Sequence, residues 1–367
     1  MRLLFDINHP VQVHVLRPAI AELERQGHEC AVVARDKDVT LSLLDRFGIP
    51  HRVLAPVGRG MAGLLRELAQ RELKMVGLAR AFRPRLIVGT SAHAARVAKL
   101  VGARSVVFND DDARAVPLFR WLAYPLASAI VTPDCLRHED LGPRHLTYPS
   151  YQQLFYLHPN RFRPDESIRR DLALAPGERY GIVRLSALTA HHDTSVRGIG
   201  EALILRLRDR LAGRVRLFVS SEAPLSPSLE PLRLPVPPER LHDVLAFADL
   251  CLGDSQSVTA EAAVLGVPAF RMNDFVGWLS YLKDLEGYGL AFGFKPEQEE
   301  ALVREAEAVV ARPDRREVFA ARRARMLAEK IDPLPWFLDV LGRLGHEQSG
   351  VREASTAADS RPRTIPR

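Results

Sequence analysis

The feature that most constrains this chain is a rhythm of short apolar runs, each followed by a stretch with helical spacing. Arg2–Ile7 reads as a buried strand, and Val15, Leu16, Ala19, Ile20 and Leu23 recur at helical spacing within 11–26, stopped by Gly27. Strands at 29–34, 52–54, 86–88, 105–108 and 129–131 alternate with helices at 38–47, 61–82, 92–101 and 113–126. Short apolar strands separated by helices predict a parallel sheet covered on both faces, because parallel strands need crossover connections.

The rhythm breaks between Thr147 and Pro176, where Tyr148-Pro149-Ser150 and His158-Pro159-Asn160 are turn-rich. It resumes with strands at 180–185, 215–220, 250–252 and 268–270. Helices at 199–211, 238–247, 258–265, 297–311, 315–329 and 335–344 accompany them. A length of 367 residues suits two cores rather than one. The expectation is an α/β protein of two Rossmann-like domains whose parallel sheets face each other across a cleft. The N-terminal domain is expected over 1–165 and the C-terminal domain over 166–345, with the last helix returning to the first domain. Residues 346–367, polar and aperiodic, read as a disordered tail.

Composition narrows the function classes. Cys30, Cys135 and Cys251 lie far apart, which excludes a disulfide framework and a cysteine zinc site and suits a reducing cytoplasm. Asp6 interrupts the opening apolar stretch, so no signal peptide is expected, and the apolar run from Trp121 to Val131 is too short to span a membrane. A net charge of +6 is small for this length, and no aromatic-studded basic groove appears, so no nucleic-acid partner is expected. The segment Arg59–Arg85 carries seven basic residues against Glu67 and Glu72. Such a helix either makes a peripheral contact with an anionic membrane or packs its apolar side on the core with a solvated basic face. The second reading is favoured.

In open parallel sheets ligands bind beyond the carboxyl ends of the strands, so residues directly following strands carry the function. The strongest such segment is Gly253-Asp254-Ser255-Gln256-Ser257, after which Glu261 lies about one turn into a helix. Unpaired N–H groups and the macrodipole at that helix start make an anion site suited to a pyrophosphate, with Ser255 and Ser257 as further donors. Glu261 can accept both hydroxyls of a ribose. The plainer alternative is that Asp254 or Ser255 only caps the helix.

The pattern Gly253-Asp254-Ser255-x-Ser257-x-x-x-Glu261-Ala262-x-x-x-Gly266-x-Pro268 resembles the donor-nucleotide motif of the GT-B group. That group holds nucleotide-sugar glycosyltransferases and the non-hydrolysing UDP-N-acetylglucosamine 2-epimerases. Three segments together resemble the predicted-glycosyltransferase family known as domain of unknown function 354. They are Phe5-Asp6-Ile7-Asn8-His9-Pro10 with Val13-His14, Ala34 to Asp38, and Arg184-Leu185-Ser186 with His191-His192-Asp193. The resemblance implies UDP phosphates on the Gly253–Ser257 loop, ribose on Glu261, and a metal-independent transferase needing no cofactor beyond its nucleotide-sugar co-substrate. It also implies an acceptor, a sugar or a lipid-linked sugar, in polysaccharide or glycolipid synthesis, and a cytoplasmic protein, peripheral on the inner membrane face if the basic helix docks there.

The remaining candidates follow from the same rule. Asn8, His9 and His14 trail the first strand, and a neutral imidazole suits deprotonation of an acceptor hydroxyl. Thr90, Ser91 and His93 follow the 86–88 strand, with Ser91 as a helix cap the plain alternative. Asn109 and Asp110 follow the next strand. Asp110, Asp111 and Asp112 repel one another, so they are solvated, paired with Arg114 or used; Asp110 is assigned substrate bonding or base support. The Asp110-x-Asp112 string also fits a metal-holding motif, which the two-sheet organisation argues against. Arg184 offers bidentate guanidinium geometry to a departing diphosphate, and Ser186, His191 and His192 complete the donor set. A zinc reading of His191 and His192 lacks partner ligands.

Overall fold

The structure is a computed structural model and describes residues 1–37, 39–55, 60–186, 197–221 and 223–357, without the side chains of 61, 62, 64, 65 and 347–357. The first lobe runs β1 (Arg2–Ile7), α1 (Pro10–Arg25), β2 (Glu29–Ala34), α2 (Thr40–Arg46), β3 (Arg52–Val53) and α3 (Gly60–Phe82). It continues through β4 (Leu86–Gly89), α4 (Ala92–Val101), β5 (Arg104–Phe108), α5 (Pro117–Ala123), β6 (Ala129–Pro133) and β7 (His145–Tyr148). Two single-turn helices, α6 (Leu154–Leu157) and α7 (Ile168–Asp171), lead into the second lobe. That lobe has β8 (Tyr180–Leu185), α8 (Glu201–Leu211), β9 (Arg216–Ser221), α9 (Leu241–Ala246), β10 (Leu250–Gly253), α10 (Gln256–Val264) and β11 (Ala269–Met272). α11 (Ser280–Gly287), β12 (Ala291–Phe294), α12 (Glu299–Ala311), α13 (Arg315–Glu329) and α14 (Pro333–Ala357) complete the described chain.

Both sheets are parallel throughout, in the orders β3-β2-β1-β4-β5-β6-β7 and β12-β11-β10-β8-β9. Strand alternation divides the first core. Leu4, Val33 and Ile87 face α3 and α4, whereas Leu3, Phe5, Val88 and Phe108 face the main core beneath α1 and α14. In each sheet the strand order reverses beside one strand, between β1 and β4 and between β8 and β10. A crevice opens at the carboxyl ends of such a pair.

Several expectations change. β7, α11 and β12 were not foreseen. The 113–126 helix shortens to α5, because Val116 carries an extended φ of −130° and Pro117 opens the helix; a 3-10 turn covers Tyr124–Leu126. The stretch 346–357, expected as disordered tail, continues α14 as helix, and 358–367 lie outside the described residues. α14 returns to the first sheet, where Phe337 meets Phe108 at 5.5 Å and the Arg104 guanidinium donates to the Leu344 carbonyl at 3.2 Å. The two chain crossings touch: Ile331 N–H donates to Pro149 O at 2.9 Å and Ser150 Oγ donates to Ile331 O at 2.7 Å.

Candidate functional site

A cavity of about 730 Å³ opens between the lobes at the two switch points. The first lobe lines it with His9 and His14, and the second with Arg184, Ser186, Asp254, Ser255, Gln256, Ser257 and Glu261. These are nine residues singled out by sequence, drawn from three separate segments, 9–14, 184–186 and 254–261.

The floor on the second-lobe side is fixed by backbone geometry. A Cβ at Gly253 would lie 2.5 Å from the Arg184 carbonyl oxygen, so the close approach of β10 to β8 requires glycine there. Asp254 is buried, and one of its oxygens accepts from Ser186 N–H and Ser186 Oγ, both at 2.7 Å. Asp254 therefore clamps the ends of β8 and β10 together. Ser255 caps α10, its hydroxyl accepting from Val258 N–H at 3.4 Å. The first N–H groups of α10 have no intrahelical acceptor, and Gln256, Ser257 and Val258 line the cavity there. Arg184 donates to Ser220 Oγ at 2.8 Å along the same wall.

Glu261 is 4% exposed yet borders the cavity. Its Oε1 accepts from the Tyr156 hydroxyl at 2.7 Å and lies 3.3 Å from His242 Nε2. Its Oε2 has no hydrogen-bond partner among the described residues. Burial by itself would push this carboxyl up; His242, then His14 and the Tyr156 hydroxyl, outweigh it and hold the group below the usual carboxylate range. The result is an ionised carboxylate with one oxygen anchored and the other unmatched, a costly state inside a protein unless a ligand donates to it. Tyr156, His242, Ser220, Ser221 and Arg233 were missed by the sequence reading. Ser220 and Ser221 end β9, so the strand-end rule points to them.

His14 sits where the lobes meet, its ring 4.6 Å from that of His242, 5.4 Å from Tyr156 and 5.6 Å from Phe47. Burial, followed by the neighbouring His242, lowers its pKa to about 3. His9 caps α1, its Nδ1 accepting from Val11 N–H at 3.4 Å, and Pro10 supplies the first helical residue.

The structure does not bring the other first-lobe candidates into this cavity. Asn8 N–H donates to Gln12 Oε1 at 2.6 Å, and Gln12 in turn donates to Thr90. Ser91 caps α4 and donates to Asp6, a fully buried carboxylate that also accepts from Arg71 at 2.6 Å. His93 is buried against Glu72 at 3.1 Å. Asn109 pins its own loop, donating to Asp111 O at 2.6 Å and to the Tyr124 hydroxyl at 2.9 Å. Asp110 lies nearby without lining the cavity; burial, then Asp111, pushes its carboxyl well up, and burial with Asp112 raises Asp111 to about 6.

Asp112 spans the lobes, its oxygens accepting from Ser280 N–H and Ser280 Oγ at 2.7 Å each. The Asp110-x-Asp112 string is thus divided between a carboxyl outside the cavity and an interlobe cap. Ligand atoms of Asp112, His138 and Glu139 lie within 4.8 Å of one another, but both Asp112 oxygens and Glu139 Oε1 already accept hydrogen bonds. His191 and His192 lie outside the described residues.

Comparison with known proteins bears on the architecture. No protein-family model matches the chain, and no curated protein matches it. Among solved structures, the UDP-GlcNAc 2-epimerase from Neisseria meningitidis bound to UDP-GlcNAc superposes with a TM-score of 0.66 at 12% identity, over 93% of this chain and 100% of that one. The S. aureus MnaA–UDP structure gives 0.65 at 12% identity over 95% and 97%. The spinosyn rhamnosyltransferase SpnG gives 0.62 at 16% identity over 94% and 99%. The fold is GT-B. Two Rossmann-like domains with parallel sheets face each other across a cleft, as the strand rhythm predicts. The resemblance to domain of unknown function 354 is not shown by these comparisons.

Proposed function

We propose that this chain is a GT-B glycosyltransferase that takes a sugar from a nucleotide donor, UDP-linked, and passes it to an acceptor hydroxyl. The observation that carries the proposal is the unmatched Glu261 Oε2 at the edge of a cavity that also holds the start of α10 and the Arg184 side chain. A vicinal diol donates two hydroxyls to one carboxylate, and a diphosphate next to it meets the helix N–H groups and a guanidinium. Gly253, Ser255, Gln256 and Ser257 shape the diphosphate cradle, with Asp254 and Ser186 holding it in position. Charge developing on the departing diphosphate is then stabilised by donors fixed in advance.

On the acceptor side, an imidazole held near pKa 3 is too weak a base to take a hydroxyl proton at neutral pH, so His14 contributes shape as a neutral ring. His9, which lines the cavity, is the base of this proposal, and Asp110, outside the cavity, takes no part. No metal enters the mechanism. A lipid-linked acceptor suits a cytoplasmic enzyme working at the membrane surface.

The second reading is a UDP-HexNAc 2-epimerase, favoured by the fold likeness to the Neisseria meningitidis enzyme with UDP-GlcNAc bound. The resemblance to the epimerases implies an aspartate in the loop after the 86–88 strand, where this chain has Thr90, which counts against it. Incubation with UDP-GlcNAc and no acceptor separates the two: epimer formation identifies the epimerase, and UDP release that depends on an added acceptor identifies the transferase. A thermal-shift screen against UDP-, GDP-, CMP- and dTDP-sugars tests the shared premise. A ligand at 100 times its Kd stabilises by about 2.7 kcal/mol, and silence with all four classes overturns both readings.

A further inference from the structure

The described residues include eleven exposed large apolar side chains, and their placement is uneven. Leu68 and Leu73 lie on α3, Leu100 on α4, and Leu118, Trp121 and Leu122 on α5. Leu73, Leu118 and Trp121 are 73%, 70% and 78% exposed. The three helices form one layer over one face of the first sheet, α4 packing against both α3 and α5. The inner side of this layer is ordinary core, with Met75, Ala79, Val97 and Ala123 fully buried or nearly so.

Charge on the same layer is one-sided. Its exposed ionisable residues are Arg66, Lys74, Arg80, Lys99 and Arg120, all cations. Its two carboxylates are both matched by cations: Glu67 is buried on Arg35 at 2.6 Å, and Glu72, half-buried, is paired with Arg96 and His93. An outer face of leucine, tryptophan and lysine or arginine, without an exposed acid, has the composition of a surface that lies on an anionic bilayer. A second copy of the chain fits less well, since a twofold contact would set these cations against themselves.

We propose that the α3–α4–α5 face docks on anionic lipid, with Trp121 and its leucine neighbours entering the headgroup region and the five cations meeting lipid phosphates. The docking face adjoins a junction between the lobes. α5 follows the loop of Asp110 and Asp112, and Arg114, just before it, donates to the Trp278 carbonyl of the second lobe at 2.6 Å. Trp278 is itself 43% exposed, so an apolar side chain also stands on the second-lobe side of that junction. Delivery of a lipid-linked acceptor rests on the glycosyltransferase reading; the docking does not.

The test is flotation of the full chain with vesicles of phosphatidylcholine alone and of phosphatidylcholine mixed with phosphatidylglycerol, with oligomeric state followed by light scattering. Binding is expected to the mixed vesicles only, falling as salt rises. Leu118→Ser/Trp121→Ser should abolish it, and Lys74→Glu/Lys99→Glu should reduce it by at least about tenfold. Arg208→Glu, on the exposed side of α8, should leave it intact. Equal binding by wild type and both double variants overturns the proposal. So does a dimer that Leu118→Ser/Trp121→Ser dissociates in a chain that never floats, which assigns the face to a second copy. A thermal shift with UDP on the same samples separates the readings: the surface variants should keep it, and a wild type that floats without any UDP shift would retain the docking while the nucleotide reading fails.

Discussion

The two lobes share a strand-helix pattern yet treat their strand ends differently. In the second lobe, polar residues after β8, β9 and β10 face the cavity: Arg184, Ser186, Ser220 and the 254–257 loop. In the first lobe, the equivalent positions after β4 and β5 turn inward. After β4 the cause is Asp6, fully buried in β1 and in register with Gly89, which draws Ser91 and, from α3, Arg71 to itself; after β5, Asn109 is spent on its own loop and on Tyr124. A buried carboxylate must be paired, and here the strand-end residues supply the pairing. A polar residue after a strand therefore marks a site only where no neighbouring strand carries a charge needing neutralisation.

The sharpest break between the lobes should come from Glu261→Gln, which keeps the shape and removes the charge. UDP binding, read by thermal shift or calorimetry, is expected to fall to undetectable; binding at the wild-type level would make the second lobe as structural as the first. Gly253→Ala tests the floor beneath it and should cost about 2–3 kcal/mol in urea unfolding, because the added methyl meets the Arg184 carbonyl. Asp254→Asn weakens the clamp on Ser186, with an expected cost of about 2 kcal/mol and weaker UDP binding.

His14 gives the comparison a pH axis. Folded, it stays neutral down to about pH 3, whereas unfolded it titrates near the ordinary histidine value of 6.5. Between these values the unfolded chain binds the extra proton. The contribution is thus complete above about 6.5 and is lost as pH falls toward 3, at up to about 1.4 kcal/mol per pH unit. His14→Gln should flatten the fall in unfolding free energy between about pH 6.5 and 5; an unchanged slope would place the titration elsewhere. The smallest effect belongs to Ser91→Ala, which removes a cap at about 1 kcal/mol while leaving UDP binding at the wild-type level. A loss of UDP binding there would erase the distinction drawn between the lobes.

The architecture was legible because buried parallel strands are unbroken apolar runs that contrast with amphipathic helices. Elements depending on distant partners were not. α11 begins where Asp112, 168 residues away, accepts its first N–H. β12 is the short Ala291-Phe292-Gly293-Phe294, with Glu286 pressing on Gly293. β7 hides in a turn-rich stretch at the sheet edge. At the site, the Gly253–Glu261 segment announced itself as a local string. His242 and Tyr156 did not, because their role comes from convergence on one oxygen from α9 and α6, and no spacing along the chain records that.

The paired crossings at Pro149 and Ile331 carry a mechanical consequence. Two strands of polypeptide, bonded side by side, are the covalent ties between the lobes, and they lie together like the pin and barrel of a door. Relative motion of the halves is then reduced to a swing about that line, with sliding and twisting resisted. One angular coordinate would govern admission of the donor, exclusion of water and release of product, so a single engineered cross-link from Arg46 to Glu239, already 2.6 Å apart at the opposite rim, would lock all three at once.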